Sequence, residues 1–101
     1  MHRYFCKLAY NGQHYHGWQE QPNAITVQSV LTEAFRHVIF NQVELVGCGR
    51  TDTGVHASTF YVHFDLPFVL QPIEILEKIN KLNRFLPADI VLFDIVPVQS
   101  D

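Results

Sequence analysis

Phe60, Val62 and Phe64 alternate with Tyr61, His63 and Asp65. A clean period of two over this run specifies a strand with one buried face and one open face. It also fixes a register, because a slip of one residue would drive Tyr61, His63 and Asp65 into the core. Elsewhere the pattern changes. Residues 3–10 place Tyr4, Phe5, Cys6, Leu8 and Tyr10 around a single Lys7, another strand, and residues 11–25 are a polar and aromatic loop. From Thr26, a suitable N-cap, apolar residues recur at Val27, Val30, Leu31, Ala34, Phe35, Val38 and Ile39, the spacing of an amphipathic helix. Val43, Leu45 and Val46 read as a further strand. Pro72, well placed at a first helical position, precedes a second stripe at Ile75, Leu76, Ile79 and Leu82. Pro87 ends that region, and Ile90 to Val96 form a last strand broken by Asp94.

Strand, helix, strand, strand, helix, strand is the order of two split βαβ units. It predicts an α+β, ferredoxin-like βαββαβ fold: a four-stranded antiparallel sheet with two helices on one face. Val30, Leu31, Phe35, Val38, Leu76 and Ile79 are then expected against Phe60, Val62 and Phe64, leaving the opposite sheet face open for a ligand. At 101 residues the chain makes one domain, 1–101, with a single core. No apolar run reaches the length of a membrane span, and residues 1–20 lack a signal peptide's apolar stretch, so a cytoplasmic protein without membrane contact is expected. Cys6 and Cys48 have no C-x-x-C spacing and are expected as two buried thiols. Ten acids against seven bases give a net charge of −3, the wrong sign for a free-standing nucleic-acid binder. Weak, salt-sensitive RNA binding is what this balance predicts, with basic surface supplied by a part beyond this chain.

Chemistry concentrates in the loop between the two central strands. Residues 47–57, Gly-Cys-Gly-Arg-Thr-Asp-Thr-Gly-Val-His-Ala, put one carboxylate, Asp52, at a glycine-punctuated tip. A loop raised on two strands is a rigid platform for a reactive side chain. Arg50 is expected to keep that carboxylate ionised, and an ionised, oriented Asp acts as a nucleophile or a general base. Turn chemistry alone also explains Asp-Thr-Gly, since Asp and Gly favour turns. His14, His16, His37, His56 and His63 invite a metal reading, but no Cys pair or Glu completes a donor set at recognisable spacing, so no metal is expected. His14 and His16 read as loop residues that touch substrate, and His63 as a sheet-surface residue. His56 either polarises the Asp loop or accepts a backbone hydrogen bond that fixes it, the structural role being preferred. Trp18 reads as a core or loop anchor before a base-stacking ring.

Gly49-Arg50-Thr51-Asp52-Thr53-Gly54-Val55-His56-Ala57 closely resembles the active-site segment G-R-T-D-A-G-V-H-A of the tRNA pseudouridine synthase A family, departing only at Thr53. Tyr10-Asn11-Gly12, Gly17-Trp18-Gln19 and Thr26-Val27-Gln28 fall where that family has Y-D-G, G-W-Q and T-V-Q. Asn83 to Pro87 with Asp89-Ile90 is similar to N-x-x-L-P-x-D-I, so the resemblance covers nearly the whole chain in order. Asn11 in place of Asp removes a charge at that position.

The resemblance implies isomerisation of uridine to pseudouridine in the anticodon stem-loop of tRNA, without redox or metal cofactor. It implies that Asp52 is the catalytic nucleophile, paired with Arg50, which helps hold the flipped nucleotide or occupy the vacated stack. Thr51, His56, His14 and Trp18 are expected as the further substrate or RNA contacts. It also implies a longer two-domain homodimeric enzyme of which this chain, ending at Gln99-Ser100-Asp101, is the N-terminal catalytic domain, inactive alone. Two other classes fit parts of the pattern. A non-catalytic RNA-binding module shares the topology, but only Tyr61-Val62-His63-Phe64 matches half of its third-strand signature. Asp52-Thr53-Gly54 is also the active-site triplet of retroviral-type aspartic proteases, which are almost entirely β, against two helices expected here.

Overall fold

A computed structural model describes residues 1–98; the tail read from sequence at Gln99-Ser100-Asp101 lies outside the described residues. Four strands and two α-helices follow in the expected order: β1 (His2–Tyr10), α1 (Val27–Val38), β2 (Val46–Gly47), β3 (Ala57–Leu66), α2 (Pro72–Phe85) and β4 (Ile90–Pro97). The strands join in the spatial order β2-β3-β1-β4, every pair antiparallel, which is the ferredoxin-like α+β plan. These two helices leave nothing for the almost entirely β aspartic-protease reading to rest on.

The register follows the period-two pattern. Phe60, Val62, Phe64 and Leu66 of β3 are buried with Tyr4, Cys6, Leu8 and Tyr10 of β1, while Tyr61 points to solvent and His63 sits edge-on to Phe5 on the open face. Phe35 of α1 packs edge-on to Phe64, with ring centroids 5.1 Å apart. In β4 the interruption expected at Asp94 is a bulge. Lys7 pairs with Asp94 and Leu8 with Leu92, so Phe93 is the extra residue. The bulge returns Ile95 to the same buried side as Leu92, three positions away, which regular alternation would forbid. Asn83 braces that spot from α2: its Nδ2 donates to the Leu92 carbonyl and its Oδ1 accepts from the Leu92 N–H.

Thr26 caps α1 through a capping box with Ser29, and Pro72 opens α2. Lys78 of α2 donates to the Val38 carbonyl, tying the helices together where α1 ends. Three burial expectations fail in whole or in part. Leu76 is 59% exposed, because the side of α2 that meets the core runs through Ile75, Ile79 and Leu82, and Leu76 lies about 100° round from Ile75. Val30, Val38 and Ile79 are only half-buried at the core margin. Cys6 is buried as expected, but Cys48 is exposed, because it follows β2 into the loop instead of pointing to the helices. No helix among the described residues is long and apolar enough to cross a membrane.

Candidate active site

The loop carrying Asp52 leaves the sheet after a very short strand. β2 pairs with β3 only at Val46 and Gly47, and the Cys48 N–H adds one bond to the Tyr61 carbonyl. A stretch this long between strands has little internal structure to hold it, apart from one turn bond from the Val55 N–H to the Asp52 carbonyl. Its shape is imposed from outside, by residues 10–18.

Four hydrogen bonds and two close backbone approaches do this. The Tyr10 and Thr51 hydroxyls share a hydrogen bond of 2.6 Å. The Trp18 N–H donates to the Thr51 carbonyl at 3.2 Å, and the Gly54 N–H donates to the Tyr15 carbonyl at 3.1 Å. The Gly12 N–H donates to His56 Nδ1 at 2.8 Å. Finally, the backbones touch: a Cβ on Gly12 would lie 1.8 Å from the Val55 carbonyl oxygen, and one on Gly17 would lie 2.5 Å from that of Thr51. Gly17 also has φ +81°, so both its conformation and its neighbour demand glycine. Asp52 is thus bracketed by ties at positions 51, 54, 55 and 56.

The inner loop is itself anchored. Val27 and Gln28, the first residues of α1, donate their N–H groups to the Gly17 and Trp18 carbonyls. Gln28 bridges further, its Nε2 donating to the Leu45 carbonyl and its Oε1 accepting from the Glu20 N–H. Below, the Tyr15 hydroxyl donates to Asp89 Oδ1, and the Asp89 carbonyl accepts from the Asn11 N–H. The three motifs upstream of Asp52 and the Asp89 motif after it therefore form one scaffold under the loop. Burial holds the phenols of Tyr15 and Tyr10 protonated above the ordinary tyrosine range. The neighbouring carboxylate of Asp89 adds to the effect on Tyr15, while the Thr51 bond partly offsets it on Tyr10.

The side chains expected to act fall into groups. Asp52 and Arg50 are both exposed at the loop tip, where they are free to meet a ligand. They do not pair with each other: among the described residues the only ion pair joins Arg3 to Asp65 across β1 and β3. Two residues apart on an exposed turn, they gain too little to order both side chains without a partner. Thr51 is half-buried and spends its hydroxyl on Tyr10. His56 takes the structural alternative, since Nδ1 accepts from Gly12 and the ring proton must then lie on Nε2. His14 ends a short 3-10 turn, Gly12–His14, and is exposed, as is His16.

Trp18, expected among the RNA contacts, is 1% exposed. Its ring packs against Phe60 at 4.7 Å, and its Nε1 blocks any side chain at Gly47, so it offers no face to a base here and serves as the loop's anchor. Two residues that carry the site were given no role by sequence reasoning. Tyr15 sits in a polar loop with no pattern to single it out, and Asp89 stands out in the sequence only as part of a motif. Their contact spans 74 positions, and the one local hint was a tyrosine amid polar residues, an amphipathic ring that needs a partner for its hydroxyl.

No family model matches the chain. Individual relatives do. It is 46% identical over 99 residues to the tRNA pseudouridine synthase A of Bacteroides fragilis, covering 98% of this chain and 38% of the relative. It is 48% identical to that of Parabacteroides distasonis, covering 100% of this chain and 39% of the relative. The more distant protein of the same name from Exiguobacterium sibiricum is 38% identical, with 100% and 39% covered. The chain spans under half the length of these relatives. With its Asp52 loop and the motifs that brace it aligned end to end with proteins of that one name, the chain belongs by sequence to the tRNA pseudouridine synthase A family.

Proposed function

We propose that this chain is the N-terminal catalytic domain of a two-domain tRNA pseudouridine synthase, with Asp52 as its nucleophile. The observation that carries this reading is the placement of Asp52. An exposed carboxylate stands on a loop tied at four flanking positions to a second loop, which is anchored in turn to α1 and to Asp89. A turn with no function has no need of that much external support, because solvent satisfies its backbone equally well.

The reaction breaks the bond from uracil N1 to the ribose, turns the base and makes a new bond from C5 to the same carbon. N1 gains a proton and C5 loses one. Asp52 acts as nucleophile or base while the base is detached, and the fixed loop keeps it aligned through the turn. A uridine inside a stem is unreachable, so the nucleotide flips out, and Arg50, unpaired and exposed beside Asp52, is free to engage a phosphate or the vacated stack. The anticodon stem-loop is the proposed target. A homodimer of full-length chains in the cytoplasm supplies the basic surface that a chain of net charge −3 lacks. Loss of the C5 proton gives the assay. The full-length protein should release tritium from tRNA carrying uridine labelled at C5, and the 101-residue chain should not. Absence of release by the full-length protein on unmodified tRNA would remove the reading.

One observation favours a second reading. Tyr61 and Phe93 are 45% and 51% exposed on the open sheet face, as a base-stacking module would have them. Such a module would bind RNA equally well without Asp52.

A further inference from the structure

Tyr15 is in an unusual position for a residue in a polar loop: it is 6% exposed, and both of its ends are engaged. Its carbonyl accepts from the Gly54 N–H, two residues beyond Asp52. Its hydroxyl donates to Asp89 Oδ1, immediately before β4 begins. The Thr51 contacts hold the side of the loop before Asp52, and this is the hydrogen bond to another segment that lies nearest Asp52 on the side after it. Gly54 has φ +77° and open space around its Cβ position, so nothing but backbone bonding restrains it. A hydrogen bond from a phenol to a carboxylate is among the stronger neutral-to-charged contacts, and the buried ring between its ends resists shortening or tilting.

We propose that Tyr15 and Asp89 are positioning residues that act as one strut, setting the height of the Asp52 tip above the sheet. The inference rests on the reading of Asp52 as the nucleophile. Neither residue touches substrate in this account. Removing the strut leaves Asp52 chemically intact but lets the Gly54 peptide drift, which misaligns the carboxylate with the ribose. Misplacement of about 1 Å costs on the order of 100-fold in rate.

The test uses the full-length enzyme with Tyr15→Phe, Asp89→Ala, Asp89→Asn and the double variant Tyr15→Phe with Asp89→Ala. Tyr15→Phe and Asp89→Ala should each lower kcat by about 10- to 100-fold while KM for tRNA changes less than about twofold. Asp89→Asn keeps an acceptor oxygen and should retain most of the activity. The double variant should be no worse than the poorer single one, since both changes remove the same bond. Amide hydrogen exchange at Gly54 should quicken in every variant but Asp89→Asn. Losses that multiply in the double variant, an Asn variant as poor as the Ala variant, or a lowered melting temperature with kcat unchanged would each overturn the strut. So would unchanged exchange at Gly54. If the unaltered enzyme releases no tritium, it is the Asp52 reading that has failed, and Gly54 exchange still decides whether the strut exists.

Discussion

Gly12→Ala is the sharpest perturbation of the loop scaffold, because it adds a single methyl group where two backbones meet. Gly12 has no positive φ, so alanine suffers no conformational penalty of its own, and the effect is purely one of space. Its Cβ would lie 1.8 Å from the Val55 oxygen and 2.5 Å from the Val55 carbonyl carbon. Bringing the first contact to the 3.0 Å that real Cβ atoms respect requires the loops to part by 3.0 − 1.8 = 1.2 Å. If they part along the bond from Gly12 to His56, that 2.8 Å contact opens to 2.8 + 1.2 = 4.0 Å and is lost. Overpacking costs about 1–3 kcal/mol, and each lost hydrogen bond about 0.5–1.5 kcal/mol. A destabilisation of about 2–4 kcal/mol follows, equivalent to a fall in melting temperature of about 10–20 °C for a domain of this size. Displacement of the Asp52 loop by more than 1 Å should cost about 100-fold in turnover of the full-length enzyme. Thermal melting followed by circular dichroism measures the first, tritium release by the full-length enzyme the second, and the His56 ring resonances followed by NMR report the displacement itself. A Gly12→Ala protein that melts with the unaltered one and keeps its His56 chemical shifts would refute the close approach.

Further outcomes follow from the same geometry. Arg50→Lys should leave the melting temperature unchanged, since Arg50 makes no ion pair, yet reduce turnover substantially, because lysine lacks the planar fork that engages a carboxylate or phosphate in two bonds. Thiol reagents should modify Cys48 rapidly and spare Cys6 until the protein unfolds, because burial excludes the reagent and pushes the Cys6 thiol well above its ordinary range. Absorbance at 295 nm should show Tyr10 and Tyr15 still protonated past pH 10, where unfolded tyrosines ionise. Because their folded values are raised, they contribute stability that is complete below about pH 10 and is lost as pH climbs through the folded values; a midpoint of unfolding indifferent to pH from 9 to 12 would contradict this. The chain of 101 residues should bind tRNA weakly, with affinity falling steeply as salt is added, and salt-resistant binding would favour the stacking-module reading.

What was legible in the sequence was whatever short-range periodicity writes. The alternation from Phe60 to Asp65 set the sheet register, and Thr26 and Pro72 marked both helix starts. Leu76 misled because one more apolar residue beside a helical stripe looks like part of it, while the line through Ile75, Ile79 and Leu82 is what touches the core. Trp18 is buried as the anchor its residue type suggested, whereas Cys48, expected buried, is exposed. Burial inside a loop depends on what the loop folds against, and Gly47 leaves room for the indole just where the chain turns Cys48 outward. Arg50 and Asp52 are close in sequence, yet proximity along an exposed turn does not make a pair. Conversely, the partners of Tyr10 and Tyr15 lie 41 and 74 positions away, and no local pattern announces contacts of that range. The motifs that bracket Asp52 were visible as strings; that they brace one loop was visible only in three dimensions.

The central claim is that Asp52 performs the chemistry and that the rest of this scaffold exists to aim it. Asp52→Asn keeps the size of the side chain and most of its hydrogen bonding but removes its charge and nucleophilicity. Measured in the full-length enzyme, tritium release from uracil-labelled tRNA should fall below detection in Asp52→Asn, while the melting temperature and tRNA affinity stay at the values of the unaltered protein. Turnover retained in Asp52→Asn would contradict the assignment of the nucleophile, and the proposed function with it.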